Sequence, residues 1–160
     1  MLNIKIICIG KLKEQYLKEA IKEYEKRLKI YCRFSIIELN EYKIKANPSD
    51  SEIEIALKEE GKEILSKISP SALVIPLCIE GKKLSSLEFS KYIEQSMTKG
   101  FSEINFIIGG SFGLCDSVKN RSDFKLSMSD MTFPHQLARV MLSEQIYRVF
   151  QILNGGKYHK

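Results

Sequence analysis

Ile104–Leu114 reads INFIIGGSFGL, and Phe124–Phe133 follows a short polar segment later as FKLSMSDMTF. Ile104 to Ile108 is short, apolar and rich in β-branched residues, which predicts a buried strand. Gly109, Gly110 and Gly113 come next, so the chain turns tightly where backbone without side chains can approach a ligand. Phe124 to Leu126 suggests another short strand, and Met128 to Phe133 leaves it as a loop. Two such strand ends predict one crevice at the carboxyl edge of a sheet, where open α/β folds bind ligands.

Working outward, Leu2 to Ile9 is a first strand ending at Gly10. Leu17, Ala20, Ile21, Tyr24, Leu28 and Tyr31 form one apolar stripe, predicting a helix from about Glu14 to Tyr31. Phe34 to Leu39 is a second strand, and the polar segment Asn40 to Ser51, broken by Pro48, is a surface loop. Ser51 and Glu54 have capping-box spacing before a helix whose apolar side carries Ile53, Ala56, Leu57, Ile64, Leu65 and Ile68. Ala72 to Ile79 suits a central strand covered on both faces, with Glu80-Gly81-Lys82 turning the chain. Ser85 and Glu88 offer a second capping box, and Phe89, Tyr92, Ile93 and Met97 face inward from a third helix. The last helix runs from about Gln136 to Leu153. Strands alternating with helices argue for an α/β fold, a mainly parallel sheet with helices on both faces, as one domain over residues 1–160. The last helix adds Leu137, Val140, Met141 and Phe150 to its main apolar line, more than one stripe needs, which favours a dimer interface.

At 160 residues and 44% hydrophobic, the chain supports one sizeable core. No apolar run approaches the roughly 20 residues that span a bilayer. MLNIKIICIGKLK reads as a strand and not a signal peptide, and the protein is expected in the cytoplasm. Cys8, Cys32, Cys78 and Cys115 are scattered, so reduced thiols are expected, and His135 and His159 are the only histidines, which argues against zinc. A net charge of +5 permits an RNA partner without establishing one, and the mixed run Lys22 to Lys29 reads as a solvated helix face.

Three familiar motifs are absent. There is no G-x-x-x-x-G-K-[ST], the glycines do not fit G-x-G-x-x-G, and no nucleophile sits in G-x-S-x-G. Asp130 stands where a dinucleotide fold keeps its ribose-binding acid, but too little chain follows for the second half of such a fold. What remains is a crevice whose backbone groups would hold an adenine-like ring, with Leu77, Met131 and Phe133 as apolar walls. A plain strand-ending turn is the alternative for the glycines. Arg139 and Arg148 are open to phosphate or base contacts, although Glu144 and Arg148 also have the spacing of a surface ion pair. Gly155 to Lys160 would ordinarily fray.

IIGGSFGL, LSMSDMTFPHQLARVMLSEQIYRVFQI and a terminal GGKYHK, with IKIICIGKLKEQYLKEAIKEYEKRL near the start, closely resemble the RlmH family over the whole chain. These are small SPOUT-class methyltransferases that methylate N3 of a pseudouridine in 23S ribosomal RNA of the large subunit. The resemblance implies a C-terminal trefoil knot, an exception to unknotted connections. It also implies a homodimer, S-adenosyl-L-methionine held by the knotted loops, and a site completed by the partner's C-terminal residues. Carried over by position, the cofactor contacts would be Leu77, Gly109, Met128, Ser129, Asp130, Met131, Thr132 and Phe133. His135 and Arg139 would bind substrate, and Arg148, Tyr158 and His159 would be catalytic. Phe112 departs from the polar residue expected there and would alter only the crevice rim.

The chemistry so implied is direct methyl transfer without a metal or a covalent enzyme intermediate, driven mainly by alignment. His159, or a water it positions, would accept the N3 proton, and Arg148 would stabilise charge on the base. A site this small is expected to recognise an assembled ribosome in preference to naked RNA. The alternatives are a non-catalytic ribosome- or RNA-binding protein, which would bind no cofactor, and a flavodoxin-like or dinucleotide-binding enzyme, which would take FMN or NAD.

Overall fold

A computed structural model describes all 160 residues. Five strands, β1 (Asn3–Ile9), β2 (Arg33–Leu39), β3 (Leu73–Lys83), β4 (Glu103–Ile108) and β5 (Leu126–Ser127), form one sheet. Their order is β2-β1-β4-β3-β5, and every pairing is parallel. The helices are α1 (Gln15–Leu28), α2 (Asp50–Ser66), α3 (Ser86–Thr98), α4 (Asp116–Arg121) and α5 (His135–Leu153). None is long and apolar enough to cross a membrane.

The continuous apolar strands are buried on both sides, as a parallel sheet requires. Ile4, Ile6 and Cys8 point to one face of β1, where they meet Leu28 of α1, Phe89 and Ile93 of α3, and Leu142, Ile146 and Val149 of α5. Ile7 and Ile9 point to the other, against Ile64 of α2 and Val118 of α4. The first cluster holds 18 buried residues and the second 9, so α5, wedged between α1 and α3, builds the larger half of the core. The predicted apolar line of α5 therefore packs inside the subunit through Leu142, Ile146 and Val149, and Phe150, one of the extra apolar residues expected at an interface, is buried in the same core. Leu137 stays exposed, and Val140 and Met141 half-exposed.

Four expectations are corrected. The capping box of α2 is Ser49 with Glu52, two residues before the predicted pair: Ser49 Oγ accepts from the Glu52 N–H, and Glu52 accepts from the Ser49 N–H. The segment after Leu114 contains a helix, α4. The predicted strand at Phe124–Leu126 lies slightly later, at Leu126–Ser127. Finally, Glu80-Gly81-Lys82 does not end β3. The strand loops out after Leu77 and returns, so that both Leu77 and Lys82 pair with Leu126. A Cβ on Gly81 would stand 2.7 Å from the Leu126 carbonyl carbon, and only a glycine lets the two backbones come so close.

Candidate active site

The ends of β3 and β4, the turn after β4 and the loop after β5 converge on a crevice of about 200 Å³ at the carboxyl edge of the sheet. Of the eight residues expected to hold a cofactor, Leu77, Gly109, Met128, Ser129, Met131, Thr132 and Phe133 line it. Asp130 does not; its carboxylate turns out to an ion pair with Lys83, which ties the loop to the end of β3. Phe112 is exposed and outside the lining.

Gly109 is there because of a close approach: a Cβ would lie 2.5 Å from the Gly113 carbonyl oxygen across the turn. The Gly113 N–H in turn donates to the Gly110 carbonyl, which closes the turn. Opposite, Ser127 Oγ donates to the Ser129 carbonyl and the Met131 N–H donates to Ser129 Oγ, fixing the start of the loop. The N–H groups of Ser129, Asp130, Thr132 and Phe133 have no acceptor within the chain. Backbone donors are thus free beside the apolar walls Leu77, Ile79, Ile108, Leu114 and Phe133, a lining that orients a flat, partly polar ligand. Cys78, Ser127 and Ala138 complete the lining without having been foreseen, because nothing local in the sequence marks a small residue as a wall.

His135, the first residue of α5, also lines the crevice. Arg139, one turn on, does not. It is fully buried; Nη1 donates to Glu38 Oε2 at 2.7 Å, and Nη2 donates to the carbonyls of Gly10 at 2.7 Å and Ile9 at 3.2 Å. Its Nε has no partner. The guanidinium expected to meet substrate is instead committed to holding the ends of β1 and β2 against α5.

Arg148, Tyr158 and His159 do come together, around Glu144. Arg148 donates to Glu144 Oε1 through Nη2 at 2.6 Å and Nε at 3.1 Å. The Tyr158 hydroxyl donates to the same oxygen at 3.0 Å, its ring lies under the guanidinium at 4.7 Å, and it packs edge-on against Tyr147. Arg148 Nη1 is 3.2 Å from His159 Nδ1. The tail is therefore folded back on α5 and not frayed. The bond to Glu144 raises the Arg148 pKa, so it stays cationic; partial burial and then the Glu144 bond raise that of Tyr158, so its phenol stays protonated at neutral pH. A cationic guanidinium can only donate, so Nδ1 of His159 must accept and the imidazole proton sits on Nε2.

Arg148 follows His135 by thirteen residues, which is about 20 Å along a helix. Within one subunit Arg148 is thus well removed from His135, although its partner Glu144 borders a groove that shares Ser127 and Met128 with the crevice.

Residues 2–159 match the family model described as "Predicted SPOUT methyltransferase". The chain belongs to the SPOUT methyltransferase family. It is 50% identical over 159 residues to the ribosomal RNA large subunit methyltransferase H of Carboxydothermus hydrogenoformans, covering 99% of this chain and 100% of that protein. It is 53% identical to the protein of the same name from Clostridium perfringens strain 13 and 51% to that of Clostridioides difficile strain 630, with the same coverage.

Proposed function

We propose that this chain is an S-adenosyl-L-methionine-dependent methyltransferase acting on N3 of a pseudouridine in large-subunit ribosomal RNA, as a single-domain cytoplasmic homodimer with a knotted C-terminal segment. The observation that carries the reading is the crevice between Gly109 and Met128–Phe133, with its unengaged backbone donors and apolar walls. Such a lining fits an adenosyl group, which needs amide partners for its ring edge and a dry wall for its face. When bound, the cofactor supplies an electrophilic methyl group. Leu77, Gly109 and the loop Met128–Phe133 would hold it, and His135, at the start of α5, lines the same crevice.

The distance along α5 between His135 and Arg148 supports a site shared by two subunits. Leu137, Val140 and Met141 leave an apolar strip along α5, beside a groove of about 550 Å³ that Val140 and Met141 line with Tyr24, Leu84 and Phe89. A two-fold copy running antiparallel along this strip brings the partner's Arg148, Tyr158 and His159 to the crevice. There Arg148 stabilises the anion that forms as the base loses its N3 proton, and Tyr158 and Glu144 hold the guanidinium in place. His159 has its one lone pair directed at Arg148, so it does not take the N3 proton; it orients the base as an Nε2–H donor, and the proton leaves to bulk solvent.

Calorimetric titration with S-adenosyl-L-methionine tests the first step: saturable binding with NAD and FMN flat is expected, and no binding to folded dimer defeats the reading. Mixed dimers test the second. Arg148→Ala and a crevice-blocking Gly109→Val are each expected to be inactive alone, yet to regain methylation of ribosomal particles when co-assembled. Absence of any regain would overturn the shared site. A further assay compares unmodified whole ribosomes with protein-free ribosomal RNA, and equal rates would contradict recognition of an assembled surface.

A further inference from the structure

The crevice rim continues into a surface that the proposed reaction leaves unused. Between β1 and α1, residues 10–14 are held firmly to the start of α5. The Leu12 N–H donates to Glu38 Oε2 at 2.8 Å, the oxygen that also receives Arg139, and the Lys13 N–H donates to Gln136 Oε1 at 3.0 Å. Gln136 follows His135, which lines the crevice. Lys11 and Lys13 are thus exposed on a fixed loop at the crevice mouth, and neither has an ion-pair partner.

α1 begins two residues later and extends the charge. Lys18, Lys22 and Lys26 recur every four residues, one per turn and about 6 Å apart along the axis, and Lys29 falls on the same side at the helix end. All are exposed, and none is paired with a carboxylate. The only ion pair of the helix is Arg27 with Glu23, and Arg27 lies over Tyr24 and over Tyr147 of α5, on the flank away from the lysines. Leu17, Ile21 and Leu28 face the core. Residues 11–29 hold seven lysines and arginines against four glutamates, a net +3 of the chain's +5. Glu14 and Glu25 border the stripe and do not interrupt its spacing.

We infer that Lys11 and Lys13, continued by Lys18, Lys22 and Lys26, form a track for the phosphates of the RNA strand that carries the target base into the crevice. The inference rests on the proposed RNA substrate. Its physical content is specific: compact ammonium groups at regular intervals contact a backbone without reading its bases. The loop that starts the track is rigid because Arg139 and Gln136 hold it, so the first phosphates are fixed relative to His135. A dimer formed along α5 leaves this flank of α1 open.

The test uses the full-length protein with two sets of substitutions, Lys11→Gln with Lys13→Gln, and Lys18→Gln with Lys22→Gln and Lys26→Gln. Methylation of large-subunit particles is followed as a function of salt, and binding to the particles and to protein-free large-subunit RNA is measured directly. Loss of three phosphate contacts is expected to raise KM about tenfold near physiological salt and to flatten the log–log salt dependence by roughly two units. Cofactor affinity, read by calorimetry, stays within about twofold because none of the five lysines lines the crevice. Unchanged KM and salt slope would overturn the track. So would weaker binding to particles with unchanged binding to protein-free RNA, which would assign the lysines to a ribosomal protein. If the parent protein binds RNA but no S-adenosyl-L-methionine, the methyltransferase reading fails while the binding arm still decides the track.

Discussion

Arg139 and Arg148 lie nine residues apart on one helix and have opposite situations. The first is fully buried, with two carbonyls and Glu38 as acceptors; the second is part-exposed, held by Glu144 and covered by the chain's own tail. On the same helix, the side that carries Arg139 is built into the core and the side that carries Arg148 stays at the surface. The same residue type serves architecture where water is excluded and is available for chemistry where it is not. Burial, and not residue identity, separates the two roles.

The largest effect should come from leaving Arg139 buried without its carboxylate. Glu38→Ala is expected to cost about 2–4 kcal/mol, because it leaves a buried cation with only the Ile9 and Gly10 carbonyls as acceptors, while the partial exposure of Glu38 reduces the full cost of a buried pair. In a chain of this size that lowers Tm by roughly 10 °C. Arg139→Met should cost clearly less, since the Glu38 left behind is 35% exposed and keeps the Leu12 N–H. Equal losses in thermal melts would break the argument. Arg148→Ala should show the reverse profile, a fall in turnover of about 10²–10³-fold. Its melting temperature and cofactor affinity should hardly change, as a part-exposed ion pair contributes little. A large drop in Tm with activity retained would make both arginines structural.

Smaller still, deleting Tyr158 to Lys160 removes the ring under Arg148 and is expected to lower turnover about 10²-fold without unfolding the protein. A fully active truncated enzyme would return the tail to decoration. The mildest test is a pH scan of the core to which Arg139 belongs. Burial pushes the Cys8 thiol up to about 11 and the Cys32 thiol up to about 12. Above the ordinary thiol range of about 9 the unfolded chain ionises and the folded one does not, so stability present below pH 9 is lost as pH rises toward those values. Denaturation midpoints should fall over that window, and less steeply in Cys8→Ala/Cys32→Ala. Parallel curves would show that the thiols play no part.

What could be read from sequence was whatever a short window determines. The apolar runs of β1 and β4 and the Ser85–Glu88 box are local patterns that stand where expected, as does the stripe of α1, although the helix ends at Leu28, three residues before Tyr31. Two S-x-x-E spacings overlap near Pro48, so the pattern alone did not choose Ser49 over Ser51. α4 has six residues and buries only Val118, too little for a period to show. The continuation of β3 past Gly81 depends on the backbone at Lys125–Leu126, more than forty residues away. Arg139 is the same case at the site: its partners at Ile9, Gly10 and Glu38 are brought by β1 and β2, far outside any window around α5. The crevice walls Leu77, Gly109, Met128, Ser129, Met131, Thr132 and Phe133 followed from the strand ends and the family likeness together, and Asp130, expected with them, turns outward.

The pairing of Leu126 with both Leu77 and Lys82 also sets an order of assembly. The two-residue strand β5 has no partner but β3, and its seat, with Gly81 against its backbone, exists only once the excursion between those two positions has taken shape. Residues 126–133 therefore cannot take their native seat without that excursion, and α5, which follows them in the chain, brings much of the core with it. Native-like sheet signals should precede the burial of Ile146 and Phe150 in refolding, with the late step set by this non-local docking. The crevice loop belongs to that segment, so the ability to bind a ligand depends on the docking of β5 against the excursion of β3.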